Sequence, residues 1–164
     1  MTFDLSGKRV LVTQANDYMG PQSVETFREA GAEVIADTTN LIDPEAPAHI
    51  VSEAGHLDIL LANLAAPNHY GITVTDLDDA TWASMFDVMV HPLHRLVRAV
   101  APQMIERERG KIIIFGSATP LRGLSRLAAY TAARSAQAGY VRSVGCLLYT
   151  SDAADEGLGV DLGG

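Results

Sequence analysis

Residues 111–134, KIIIFGSATPLRGLSRLAAYTAAR, decide how the rest of this chain is read. Lys111 to Phe115 is an apolar run of strand length that stops at Gly116-Ser117, so Ser117 is expected where a strand passes into a loop. Pro120 and Gly123 mark that loop. From Leu127 onward the chain is rich in alanine and short side chains and reads as a helix, on which residues four apart share a face. Tyr130 and Arg134 therefore point the same way.

That pair suggests a proton acceptor. A free phenol has a pKa of about 10, and a fixed cation beside it can lower such a value by about 1–3 units, which makes the base usable. Arginine keeps its proton throughout, so it can polarise a phenol without joining a proton relay. Ser117 is expected to donate a hydrogen bond to a substrate oxygen and so fix its distance from the phenolate. On spacing alone, a Tyr and an Arg on one helix face equally suit a surface stacking pair.

Upstream, residues 8–13 (KRVLVT) read as a strand, Met19-Gly20-Pro21 opens a helix to about Ala30, and Gly31-Ala32-Glu33 leads into a second strand, VIAD. Asp43-Pro44-Glu45 starts another helix ending near Gly55, and residues 57–63 (LDILLAN) form a buried strand. A long helix is expected from Asp78 to about Arg109, kinked at Pro92. Strands alternating with helices give an α/β fold with a Rossmann-like, doubly wound parallel sheet.

The pattern resembles the short-chain dehydrogenase/reductase superfamily, over Asp4 to Gly145. The resemblance rests on a strand ending in Thr13, the strand-end Asn63, the segment WASMFDVMVHPLHRLVRAVAPQM, then GKIIIFGSA and the Ser117, Tyr130, Arg134 triad. Four departures separate this chain from the oxidoreductases of that superfamily. Where they have a glycine-rich turn that lets a dinucleotide pyrophosphate approach a helix N-terminus, this chain reads TQANDYMG over residues 13–20, with Gln14 and Tyr18 in place of two glycines and Asp17 adding negative charge. Arg134 stands where they have lysine, and Met89, in Asp87-Val88-Met89, where they have an active-site asparagine. Finally, only about twenty residues separate Asp37 from Asp58, room for one helix where those enzymes place a helix, a strand and a helix.

Together these features look like the halohydrin dehalogenases, cofactor-independent relatives on the same fold; GSATP, YTAAR, Tyr18-Met19-Gly20 and VHPLHRLVRAV are close to that family's wording. The resemblance implies a carbon–halide lyase. Tyr130 phenolate takes the proton of a vicinal haloalcohol, the alkoxide attacks the neighbouring carbon, and halide leaves as an epoxide forms; small anions open the epoxide in reverse. Ser117, Tyr130 and Arg134 form the catalytic set, no redox cofactor and no metal are implied, and Tyr18 becomes a wall of the halide site. Thr119, Pro120 and Leu121 either line the substrate pocket or form a plain loop. The alternatives are an NAD(P)-dependent short-chain oxidoreductase and a noncatalytic relative of the fold.

Residues 146–164, CLLYTSDAADEGLGVDLGG, lose the helical pattern and resemble a translated sequencing adapter. Residues 1–145 are therefore expected to be the N-terminal portion of a single Rossmann-like domain, C-terminally truncated, with strands and helices missing, and 146–164 a non-native tail. Such a fragment is expected to be inactive and to expose an apolar sheet edge. Of the formal charge of −8, the tail supplies Asp152, Asp155, Glu156 and Asp161 and no bases, leaving about −4 for the rest. Mild acidity without a basic stripe argues against nucleic-acid binding. The lone cysteine, Cys146, lies in the tail, so no disulfide is expected. No signal peptide and no apolar run of spanning length are seen, which suggests a cytoplasmic protein that does not engage membranes. A complete protein is expected to be a homo-oligomer, in the superfamily a tetramer. His91 and His94 lie three apart but lack a third ligand. Trp82 and Phe86 are read as core or interface packing, Asp37 as a loop or cap residue, and Asn63 as a tie for neighbouring backbone groups.

Overall fold

The structure, a computed structural model, describes residues 4–67 and 71–149, with side chains as far as 145. In chain order the elements are β1 (Arg9–Val12), α1 (Gly20–Glu29), β2 (Glu33–Ala36), α2 (Ala46–Ala54), β3 (Ile59–Ala62), α3 (Asp79–Met89), α4 (His91–Glu106), β4 (Lys111–Ile114), α5 (Thr119–Arg122) and α6 (Ala128–Tyr149). The strands form one sheet in the order β2-β1-β3-β4, every pair parallel, with Val10 opposite both Val34 and Ile59, and Leu61 opposite Ile113. This is the Rossmann-like sheet that the alternation of strands and helices predicts.

The chain divides into two compact units, Met1–Ala65 with His91–Phe115, and Ala66–Val90 with Gly116–Gly164. The first contains the sheet. Its strands are short and apolar because both faces are covered: Val10, Val12, Ile59 and Leu61 pack with Ala15 and Val24, and Phe27, Val34 and Phe115 close over them. Helix α2 packs against α4, whose Leu93, Leu96, Val97 and Val100 share one buried stripe.

The second unit is helical. Helix α3 and the one-turn α5 both pack on α6. Met85 and Met89 of α3 meet Ala129 and Ala133 of α6, with Leu77 and Tyr130 closing the cluster. The Asp78 carboxylate caps α3 by accepting the Thr81 N–H at 2.7 Å.

Three sequence expectations need correction. The long helix from Asp78 to about Arg109 is two helices, interrupted at Val90: Pro92 has no N–H for the ladder, and its ring opposes a helical residue before it. Within α4, by contrast, Pro102 is accommodated. The expected loop at Pro120 contains the one-turn helix α5, because proline suits a first helical turn; Gly123, at φ 63°, ends it. Helix α6 does not stop at Gly145 but runs on to Tyr149, since Gly145 does not take the left-handed conformation and the residues after it are not helix breakers. Residues 150–164 of the expected tail lie outside the described residues.

Among the described residues no helix is long and apolar enough to cross a membrane. Nor do they hold any group of three or more metal-ligating side chains, His91 and His94 included. Trp82 is 41% exposed and pairs with Phe86 at 5.3 Å between ring centroids, so on α3 the core positions belong to the methionines.

Candidate active site

In the first unit, the turn after β1 lies at the crevice where the strand order reverses, between the C-terminal ends of β1 and β3. Its shape is set from β3. Thr13, fully buried, donates its backbone N–H to the Leu61 carbonyl and its hydroxyl to the Asn63 carbonyl, each at 3.2 Å. Asn63 Nδ2 donates to the carbonyls of Gln14 at 3.0 Å and Asp17 at 2.9 Å, which is the tying role its position suggests. The Gln14 side chain reaches the other way, its Oε1 accepting the Ala65 N–H at 2.6 Å. Gln14 was not expected to have this role; an amide side chain in place of glycine was the available signal.

Two residues of this turn are held at positive φ without being glycine, Gln14 at 45° and Tyr18 at 51°. Gly20, which opens α1, has no room for a side chain: a Cβ would collide with the Gln14 carbonyl oxygen and come within 2.8 Å of Ala15 backbone atoms. Tyr18 is 50% exposed, and its ring stands edge-on to Phe115, 5.8 Å between centroids at 89°. Asp37 forms a loop turn, its carboxylate accepting both the N–H and the hydroxyl of Thr39 at 3.0 Å.

A nucleotide diphosphate needs bare amides and no competing anion at this helix start. Here the Asp17 carboxylate is exposed and already accepts the Tyr18 N–H at 2.6 Å, and a phenol ring projects where a glycine would leave the backbone open. The residues of this turn do not fit a dinucleotide.

The second unit holds the other group. Tyr130 and Arg134, one turn apart on α6, meet as their spacing predicts: Arg134 Nε donates to Tyr130 Oη at 3.2 Å, and the guanidinium carbon lies 5.3 Å from the ring centroid. Arg134 is only 4% exposed, so this is a fixed, desolvated cation and not a surface stacking pair. Ser117 and Thr119 are joined through their hydroxyls at 3.0 Å, either of which can donate, and the Thr119 N–H donates to Ser117 Oγ at 3.2 Å. Ser117, Thr119 and Pro120 are half-buried, whereas Leu121 points largely to solvent, 72% exposed. A small cavity beside Tyr130 is lined by Ile72, Leu77, Thr81 and Leu127. Gln137, 1% exposed, extends the Tyr130–Arg134 pair, and its presence could be foreseen only from its spacing three residues beyond Arg134. Chemically, the group offers a phenol oxygen under the field of a buried cation and hydroxyl donors on the loop that packs beside α6.

Comparison with known proteins places the chain in a family. The short chain dehydrogenase family profile matches residues 1–152, and the chain belongs to that family. It is similar to 2-keto-3-deoxy-L-fuconate dehydrogenase of Xanthomonas campestris pv. campestris, 31% identical over 85% of this chain and 53% of that protein. It is also similar to dehydrogenase/reductase SDR family member 6 of Rattus norvegicus, 27% identical over 85% of this chain and 64% of that protein. The chain thus spans between half and two-thirds of the length of these curated relatives. Among solved structures it resembles one described as a dehalogenation enzyme, with a TM-score of 0.81 and 28% identity over 92% of this chain and 69% of the other. An NAD+-bound xylitol dehydrogenase, at TM-score 0.74 and 21% identity over 88% of this chain and 66% of the other, shares the fold.

Proposed function

We propose that this member of the short chain dehydrogenase family converts vicinal haloalcohols to epoxides and halide. The observation that carries the reading is Tyr130 Oη held at 3.2 Å by Arg134 Nε, where an arginine cannot pass protons onward. Tyr130 phenolate takes the hydroxyl proton of the substrate; the new alkoxide forms a bond to the adjacent carbon while the carbon–halogen bond breaks and halide leaves with its electron pair. Nothing is oxidised or reduced. Ser117 donates to the substrate oxygen, and Thr119, Pro120 and Leu121 line the approach. Tyr18 forms one wall of the space that receives the halide, which suits the departure of this turn from a diphosphate cradle. Because nucleophile and leaving group sit on neighbouring carbons, the protein supplies deprotonation and alignment.

Halide release from a small vicinal bromoalcohol tests this. The chain is expected to release bromide at a saturable rate and Tyr130→Phe to release none above background; equal rates would refute the assignment of the base. A second reading, a nicotinamide-dependent oxidoreductase, is favoured by the dehydrogenase names of the curated relatives. A saturable change in NADH or NADPH fluorescence on mixing would support it over dehalogenation.

A further inference from the structure

We infer that Gln137 is a positioning residue for the Tyr130 base, acting through Arg134; the inference rests on the reading of Tyr130 as that base. Residues 130, 134 and 137 fall on one face of α6. Gln137 Oε1 accepts from Arg134 Nη1 at 3.0 Å, and Gln137 Nε2 donates to the Met89 carbonyl at 2.7 Å. These two partners admit a single orientation of the amide, oxygen toward the cation and nitrogen toward the carbonyl. With Gln137 only 1% exposed, either group left unpaired loses its hydrogen bond without water to replace it.

The far end of this chain of contacts is equally fixed. Helix α3 ends at Met89, so the Met89 carbonyl is one of the last of its helix and needs a donor from outside the helix. Gln137 provides it. The Arg134 guanidinium is thereby anchored at one nitrogen to the end of α3 and directs another, Nε, at Tyr130 Oη. A neutral acceptor suits this role for a specific reason: it orients the cation without cancelling its charge, so the field at the phenol is set before substrate arrives. A carboxylate in the same place would hold the arginine as well and weaken that field.

The test reads the ultraviolet band of ionised tyrosine across pH, isolating Tyr130 by subtracting the spectrum of Tyr130→Phe, with circular dichroism confirming the fold. Gln137→Glu is expected to move the Tyr130 band to higher pH, with about tenfold less phenolate at the pH where the parent chain is half-ionised. Gln137→Met, which keeps the arginine charge but frees its anchor, is expected to move it the same way by a smaller amount, and it serves if the glutamate variant does not fold. A Tyr130 band that stays where the parent chain has it in the folded variants overturns the role of Gln137 and leaves the base assignment standing. If the parent chain itself ionises Tyr130 like a free tyrosine, the base assignment falls, and the role of Gln137 with it.

Discussion

The turn over residues 13–20 and the α6 face carrying Tyr130, Arg134 and Gln137 are built on opposite plans. In the turn, the contacts that set the shape end on main-chain atoms: Asn63 on the carbonyls of Gln14 and Asp17, Gln14 on the Ala65 amide, and Gly20 against the backbone of Ala15. On α6, Tyr130, Arg134 and Gln137 hold one another through side chains, with the Met89 carbonyl as the one backbone anchor. A main-chain scaffold fixes geometry whatever side chain projects from it, whereas a side-chain network carries chemistry that disappears with any one member. Substitutions should therefore affect stability in the turn and rate on the helix face.

The strongest challenge to that contrast is Tyr130→Phe. It removes the oxygen that takes the proton, so halide release is expected to fall by about 100-fold to 10,000-fold. Stability is expected to drop by no more than about 2 kcal/mol, the loss of one hydrogen bond from Arg134. Steady-state kinetics and urea unfolding on the same preparation check both. A variant that unfolds, or one that keeps its rate, would erase the distinction between the two plans.

Asn63→Ala probes the turn in the same way. Asn63 is fully buried, its Nδ2 serves two carbonyls, and its Oδ1 has no hydrogen-bond partner, so the substitution forfeits donors alone. Losing them is expected to cost about 2–4 kcal/mol, read as a lower urea midpoint. Gly20→Ala comes next. With backbone atoms on the side where the methyl must go, the start of α1 has to shift, at about 1–3 kcal/mol, seen as a lower thermal midpoint. A neutral result at either position would mean that the turn is looser than its hydrogen bonds indicate.

How far each region could be read in advance follows from the same difference. The four strands were legible because each is a short apolar run bounded by turn residues, and the Tyr130–Arg134 contact was legible because helical spacing places i and i+4 together. The Arg134–Gln137 contact obeys the same rule, yet a glutamine in an alanine-rich helix carries no motif, so nothing singled it out. The break at Val90 was legible as a kink, since Pro92 announces itself; that the chain restarts a new helix at His91 depends on packing that sequence does not specify. In the turn, Gln14 and Tyr18 at positive φ could not be foreseen, because each takes a conformation that its own residue type disfavours and that the hydrogen bonds from Asn63 and to Ala65 impose.

Tyr18→Gly has the smallest expected effect on stability and the sharpest bearing on the turn's function. Two terms oppose each other. Glycine relieves the φ of 51° by about 1 kcal/mol, while the edge-on contact with Phe115, of about 0.5–1.5 kcal/mol, is lost. The net change is expected to lie within about 1 kcal/mol of zero, a shift of a few degrees at most in the thermal midpoint. Removing the ring also opens the backbone at the start of α1, but Asp17 keeps its negative charge there, so NADH binding is expected to stay weak in Tyr18→Gly and to strengthen only when Asp17→Asn is added. Tight binding in the single variant would show that the ring alone keeps a nucleotide out. Weak binding in both would show that the shape imposed by Asn63, which neither substitution alters, excludes it.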